Sequence, residues 1–429
     1  MLDIRLFRED PDAVRNGMRS RGRDISVVDE VIRLDERRRE LLRAIEELRA
    51  ESNAASKRIS EMKKAGRDAE QAVAHTREVR EQIRERETDL ERFEQALTEA
   101  LLRIPNLPDA TCPTGASEAD NVERRRVGIV PEWSFEPRAH WDLGPELGVL
   151  DFERASKLAG ARFSLFRGAG AAMERALISY MIDLHVTQHG YTEILPPFLA
   201  TRETMRGTGQ VPAMEDDMFH VTAQDLFLIP TAEVPLCSYH AGEILDGDAL
   251  PLRYTGYTPC FRAEAGAAGK DTKGLIRRHQ FDKVEMAIYC KPEESEAELE
   301  RLTAAAEDVL KGLGLPYRVM ELCTADIGPN AAKTYDPEVW MPGMGRFVEI
   351  SSCSNCTDYQ ARRTNTRFRR EQGSRPEFVY MLNGSGLAAG RTFAAVLENY
   401  QQEDGSVVVP EVLRGYMNGM ERIEPQTQR

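Results

Sequence analysis

Two long heptad runs separated by a single glycine constrain this chain more than any other feature. Core positions at spacings of four and three fall on Val27, Val31, Leu34, Arg38, Leu41, Ile45, Leu48, Ser52, Ala55, Ile59 and Met62. The stretch KKAGRDAEQ follows, with the only glycine of the region, and the pattern resumes as Ala72, Thr76, Val79, Ile83, Arg86, Leu90, Phe93, Leu97, Ala100 and Ile104. Two such runs around one turn predict an antiparallel helical hairpin. At 1.5 Å per residue each helix is roughly 50 Å long. The remaining positions are mostly Arg, Lys and Glu, as a solvated coiled coil needs. Ile104-Pro-Asn-Leu-Pro108 ends the second helix, because proline cannot continue it. Residues 1–26 read as a helical lead-in, with Asp10-Pro11 as cap and first-turn proline.

Charge bears on what such an arm touches. Residues 27–104 hold 17 of the 57 Lys and Arg and 19 of the 71 Asp and Glu, while the whole chain carries −14. The overall balance argues against generic nucleic-acid binding. The arm is nevertheless nearly neutral and dense in Arg, so it suits either an RNA backbone lying along it or plain protein contacts. With 429 residues there is room for two or three domains. No apolar run reaches 18 residues, so no membrane span is expected. The first ten residues carry five charges, unlike a secretory signal. Seven cysteines, an odd and sparse number, read as reduced thiols in a cytoplasm.

Beyond a Gly/Pro-punctuated stretch reaching about residue 170, the pattern changes. Residues 171–188 read as an amphipathic helix with Met173, Leu177, Tyr180, Met181 and Leu184 on one face, ended by Gly190. Short apolar runs then alternate with turns, as in YTEILPPFL, LRYTGYTPCFRAE, HQFDKVEMAIYC and GRFVEISSC. They predict a mixed, mostly antiparallel sheet, interrupted by a helix over 293–312 and closed by a helix from about Leu387. The fold class is α+β. Neither GxGxxG nor GxxxxGK[ST] is present, so a nucleotide would bind without a Rossmann or P-loop device.

No His or Cys has the neighbours of a nucleophilic catalyst. Cys353-Ser-Asn-Cys356 lacks a second pair at zinc spacing and reads as two core thiols. What remains are charged residues embedded in apolar strands. Phe261-Arg262-Ala263-Glu264 places Arg262 and Glu264 on one strand face. A glycine-bearing loop follows, and Phe281-Asp-Lys-Val-Glu285 returns with Phe281 and Glu285 on a shared face. A buried Arg is costly unless it meets an anion. The set suits a phosphate, a purine ring and an amine, and an internal salt bridge equally well. Glu349-Ile350-Ser351-Ser352 offers two oxygen ligands three apart, fit for a hard cation between phosphates. NGSGLAAGRT, residues 383–392, reads as a Gly-rich turn into a helix, with Arg391 in its first turn or two.

Taken together these segments resemble the class II aminoacyl-tRNA synthetases, and among them the bacterial-type seryl-tRNA synthetases. GYTEILPPFL is similar to the first class motif, FRAE through RRHQFDKVE to the second and GLAAGRT to the third. More specific are TGQVPAMEDDMF, IPTAEVPL, GLIRRHQFDKVE, EISSCSNCTDYQARR and MLNGSG, together with PRAHWDLG at 137–144 and LDFERASKLAGARF at 150–163. The resemblance covers essentially the whole chain; the arm matches by pattern rather than by fixed residues.

The resemblance implies an N-terminal tRNA-binding domain over 1–108 and a class II catalytic domain over 109–429. It implies that the carboxylate of L-serine attacks ATP to give seryl-adenylate and pyrophosphate, and that the seryl group passes to the 3′ end of tRNA-Ser, with tRNA-Sec also implied. A carboxylate is already nucleophilic, so positioning and charge stabilisation carry the rate. By resemblance, Arg262 grips the α-phosphate and the serine carboxylate, and Phe281 stacks on adenine with Arg391 over its other face. Glu264 holds the adenine or phosphate end, and Ala263 belongs to the same ATP-binding stretch. Arg277 meets the β- or γ-phosphate, a role for which Arg278 competes. Glu349 and Ser352 hold Mg²⁺, with Ile350 and Ser351 completing that stretch of the ATP site. Thr231 and Glu233 receive the serine ammonium, and Glu285 and Ser385 the hydroxyl, with Asn383 nearby; Ala232 belongs to the same serine-binding stretch. The family is homodimeric and cytoplasmic. The alternatives are a class II paralogue that loads a non-tRNA acceptor and a non-enzymatic coiled-coil adaptor.

Overall fold

The computed structural model describes residues 1–264 and 273–426. The chain divides into two compact units, Met1–Pro105 and Asn106–Arg429.

The first unit is helical throughout. Helices Ile4–Glu9 and Pro11–Ser20 meet at Asp10, whose carboxylate accepts from the Ala13 N–H at 3.0 Å while Pro11 takes the first turn. The long pair is Ser26–Lys64 and Glu70–Arg103. Gly66, at φ +66°, closes the first of these, and the Arg67 N–H reaches back to the Met62 carbonyl at 2.9 Å. Ion pairs fix an antiparallel register: Glu30 with Arg103 at 2.6 Å, Arg38 with Glu94 at 3.0 Å and Arg49 with Glu87 at 2.7 Å. Each is exposed and contributes little energy. Val31, Leu41, Ile45 and Ser52 are buried on one helix and Thr76, Val79, Leu97 and Ala100 on the other, as the heptads predict. One departure is Asp35, buried where the pattern placed Leu34; Arg8 and Arg39 hold its carboxylate at 2.7 and 3.1 Å.

In the second unit, nine strands among the described residues form one sheet. Its order runs Val122–Val127, Tyr317–Glu321, Lys333–Met341, Cys353–Asn355, Tyr380–Ala388, Gln280–Cys290, Leu252–Phe261 and Thr192–Glu193, with Arg346–Glu349 paired to Lys333–Met341. All pairings are antiparallel except the last, Thr192–Glu193 beside Leu252–Phe261. The α+β expectation is met. Helices Ala169–Thr187, Ser295–Gly312 and Ala389–Asn399 pack on the sheet through one large apolar cluster.

The period-two geometry of a strand sorts its residues between the faces. On Gln280–Cys290, Val284, Met286 and Ile288 enter the cluster under the helices, while Ala287 and Tyr289 join a second cluster with Leu236, Phe368 and Met381. Phe281, Lys283 and Glu285 therefore share the face opposite those helices. Met381, Asn383 and Ser385 do the same on the neighbouring strand, where Ser385 pairs directly with Glu285.

Two local expectations are corrected. FRAE is not strand throughout: the strand ends at Phe261, and Glu264 has φ +50°. The 383–388 segment is not a turn but the interior of strand Tyr380–Ala388, which runs straight into the helix bearing Arg391. Residues 265–272, in the loop within the second motif, lie outside the described residues.

Candidate active site

On the face opposite the large helices the second unit holds a cavity of about 600 Å³. Its lining gathers Thr231, Glu233, Arg262, Glu264, Arg277, Arg278, Phe281, Glu285, Glu349, Ile350, Ser352, Asn383, Ser385 and Arg391, which the sequence spreads over some 160 residues. Three of the residues singled out from sequence do not line it. Ala232 is fully buried beside Leu236 at the start of helix Glu233–Cys237. Ala263 uses its N–H on the Asp217 carbonyl at 2.8 Å. Ser351 is buried and donates to the Ser385 carbonyl at 2.6 Å, bracing the strand that presents Ser385.

Arg262 emerges at the strand end, locked by exchange with His279: its N–H donates to the His279 carbonyl at 2.9 Å and its carbonyl meets His279 Nδ1 at 3.0 Å. Its guanidinium lies over the Phe281 ring, 5.1 Å from the centroid. Glu264 pairs with Arg277 at 3.3 Å, and Arg277 is 41% exposed. Arg278 is different. It is buried, Nη1 donates to Ser164 Oγ at 2.5 Å, and the guanidinium packs on Phe166. A Cβ at Gly390 would overlap its Nη2, so only glycine leaves it room. Arg391 Nη1 donates to the Glu349 carbonyl at 2.8 Å and lies 3.5 Å from the Glu349 carboxylate.

Two carboxylates, buried Glu285 and partly buried Glu233, lie close together in this cavity. Burial, and then the Glu285 charge beside it, push Glu233 up to about 7, against the hydrogen bond from Gln360. Gln360 Nε2 donates to Glu233 Oε1 at 2.7 Å. Asn383 Nδ2 approaches Gln360 Oε1 at 3.5 Å. Sequence reasoning missed both Gln360 and Lys283. Lys283 was findable, since it is the odd-numbered residue between Phe281 and Glu285. Gln360 carries no such signal, because helix Tyr359–Thr364 reaches the site only through tertiary packing.

Near Glu349, burial and then that carboxylate raise Asp336 well above the usual range, with Ser352 hydrogen-bonding against the shift. The Glu349 carboxylate and the Ser352 hydroxyl are oxygen donors of the kind a hard cation takes. Among the described residues no three His, Cys, Asp or Glu form a cage. Mg²⁺ usually takes one or two protein oxygens and borrows the rest from phosphates. Cys353 and Cys356 are buried thiols, as are the other five cysteines.

Residues 1–108 match the seryl-tRNA synthetase N-terminal domain, and residues 219–400 the tRNA synthetase class II core domain (G, H, P, S and T). A serine–tRNA ligase of Listeria innocua is 51% identical over 424 residues, covering 99% of each chain. One from Pelobacter propionicus is 54% identical over 424 residues, covering 99% of this chain and 100% of the other. The chain belongs to the seryl-tRNA synthetase family. The crystal structure of a seryl-tRNA synthetase from Pyrococcus horikoshii, complexed with ATP, superposes over all of both chains with a TM-score of 0.93 and 41% identity. The class II core match takes in seven of the nine strands of the sheet, and the N-terminal match takes in the four helices of the first unit.

Proposed function

We propose that this chain is a serine–tRNA ligase: it activates L-serine with ATP and loads the seryl group onto the 3′ end of tRNA-Ser. The observation that carries the reading is one cavity lined both by an Arg–Phe–Arg set suited to a nucleotide and by the neighbouring carboxylates Glu233 and Glu285, suited to a small polar amino acid. Family membership supports it over the full length of the chain.

In the first step a serine carboxylate oxygen attacks the α-phosphorus. The bond to pyrophosphate breaks, and pyrophosphate leaves with the electron pair. Arg262, fixed by His279 and Phe281, bridges the two anions that must meet, and its planar fork serves both. Adenine lies between Phe281 and Arg391. Exposed Arg277 takes the β- or γ-phosphate, while buried Arg278 shapes the wall; that division follows from their different exposure. Glu349 and Ser352 are the residues that would hold Mg²⁺, which supplies neutralisation of the pyrophosphate charge. Glu233 receives the ammonium, and Glu285 and Ser385 the hydroxyl. In the second step the terminal ribose hydroxyl attacks the seryl carbonyl carbon and AMP departs.

The hairpin Ser26–Arg103 binds the long variable arm of tRNA-Ser, and tRNA-Sec by the same shape. A homodimer is supported by exposed apolar side chains at Leu195, Phe198 and Leu199 in the first class motif. Seven buried thiols support a cytoplasmic setting. The described residues contain no helix long and apolar enough to cross a membrane. The test is aminoacylation of bulk bacterial tRNA with labelled serine. Acid-precipitable seryl-tRNA is expected. Serine-dependent pyrophosphate exchange without any charging would favour the paralogue with a non-tRNA acceptor.

A further inference from the structure

Lys283 is a charged cavity residue to which the roles above give no task. It stands between Phe281 and Glu285 on one strand face, so its side chain enters the same cavity. That side chain is only 10% exposed, and an ammonium so buried needs partners. Nζ donates to Thr231 Oγ1 at 2.8 Å and forms an ion pair with Glu285. Thr231 Oγ1 in turn donates to Glu285 Oε2 at 2.8 Å and accepts from the Glu233 N–H at 3.1 Å. A hydroxyl has one proton to give and two lone pairs to fill. The Thr231 hydroxyl is therefore saturated and has no position left for a substrate ammonium.

The two carboxylates are also unequal. Glu285 already holds a cation and a hydroxyl. The hydrogen bond that Glu233 accepts comes from the neutral amide of Gln360. A substrate ammonium gains most at the carboxylate that Lys283 does not pair, Glu233. Glu285, ion-paired with its own lysine, is an acceptor with no charge left to neutralise, which is what a substrate hydroxyl needs.

We propose that Lys283 is a positioning residue that sets the hydroxyl specificity of the pocket: by neutralising Glu285 it leaves Glu233 to take the ammonium and Glu285 to read the hydroxyl. The proposal rests on the serine reading above. Without the lysine, Glu285 competes for the ammonium, and a small amino acid lacking a hydroxyl sits between two carboxylates at little disadvantage.

The test is ATP–pyrophosphate exchange with serine and with alanine, on the full-length parent, Lys283→Met and Lys283→Arg. Lys283→Met is expected to lower kcat/KM for serine by about 10²-fold and to leave that for alanine within about threefold, with KM for ATP unchanged. Lys283→Arg, which keeps the charge, is expected to retain most of the discrimination. Equal losses for both amino acids, or parental discrimination in Lys283→Met, would overturn the proposal. If Lys283→Met does not fold, Lys283→Arg decides: retained discrimination supports the assignment, and discrimination lost at an unchanged KM for ATP overturns it. A parent that fails to exchange with serine at all overturns the serine reading itself, and this inference with it.

Discussion

The guanidinium of Arg262 lies 5.1 Å from the centre of the Phe281 ring, joining the ends of two paired strands across the cavity. The pair makes one continuous platform of charge and π surface. Adenine stacking on an aromatic ring is worth about 1–3 kcal/mol, so Phe281→Ala is expected to raise KM for ATP by roughly 10- to 100-fold. KM for serine should change much less. Initial rates of pyrophosphate exchange with each substrate varied in turn check this, and an equal rise in both KM values would detach Phe281 from the nucleotide.

The Glu233 carboxyl, at about 7, ties serine binding to pH. The ionised form holds the ammonium, and burial beside Glu285 disfavours that form in the empty site. Serine binding therefore releases a proton below pH 7, and KM for serine should fall as pH rises from about 5.5 to 7, approaching tenfold per unit. Above that it levels off. In Glu233→Gln the profile should be flat and KM high throughout.

How much of this was visible beforehand differs by element. The heptads located both arm helices and most of their buried residues, because a coiled coil repeats its rule every seven residues. Asp35 escaped because Arg8, on another helix, makes its burial tolerable. At the site, the strings around Arg262, Phe281, Glu285, Glu349 and Arg391 pointed to residues that do meet in one cavity. The Gly-rich string 383–388 misled as a turn: its glycines sit in a central strand, where a Cβ at Gly384 or Gly386 would collide with Cys353 or His185. Gln360 was illegible, since its contact with Glu233 spans 127 residues.

Glu174, on helix Ala169–Thr187, is buried with both carboxyl oxygens unpartnered, and burial pushes it up to about 8. Its usual value is 4.5. Between those values the folded chain binds a proton that the unfolded chain has lost, so this group lowers stability as pH rises. Glu174→Gln carries no such proton. Its stability relative to the parent should grow between pH 5 and 8, by at most ~1.4 kcal/mol per unit. Denaturant titrations at several pH values measure it.

Leu41 and Ile45 are both buried in the hairpin. Leu41→Ala should cost about 2–5 kcal/mol locally and loosen the arm. Replacing residues 27–104 with a short Gly/Ser turn is expected to leave serine-dependent exchange nearly intact. The same change should cut tRNA charging by about two orders of magnitude or more, since backbone contacts supply much of RNA affinity. Charging assays on the variant and the parent decide it, and charging that survives the deletion would remove the hairpin from tRNA recognition.

The most direct measurement is ATP–pyrophosphate exchange without tRNA, run with each of the twenty amino acids and Mg²⁺. Exchange with serine alone, lost in Arg262→Ala and Glu285→Ala, is the expected result. Exchange with another amino acid in place of serine would contradict the roles given to Glu233, Glu285 and Ser385, and exchange with none would contradict the catalytic reading as a whole.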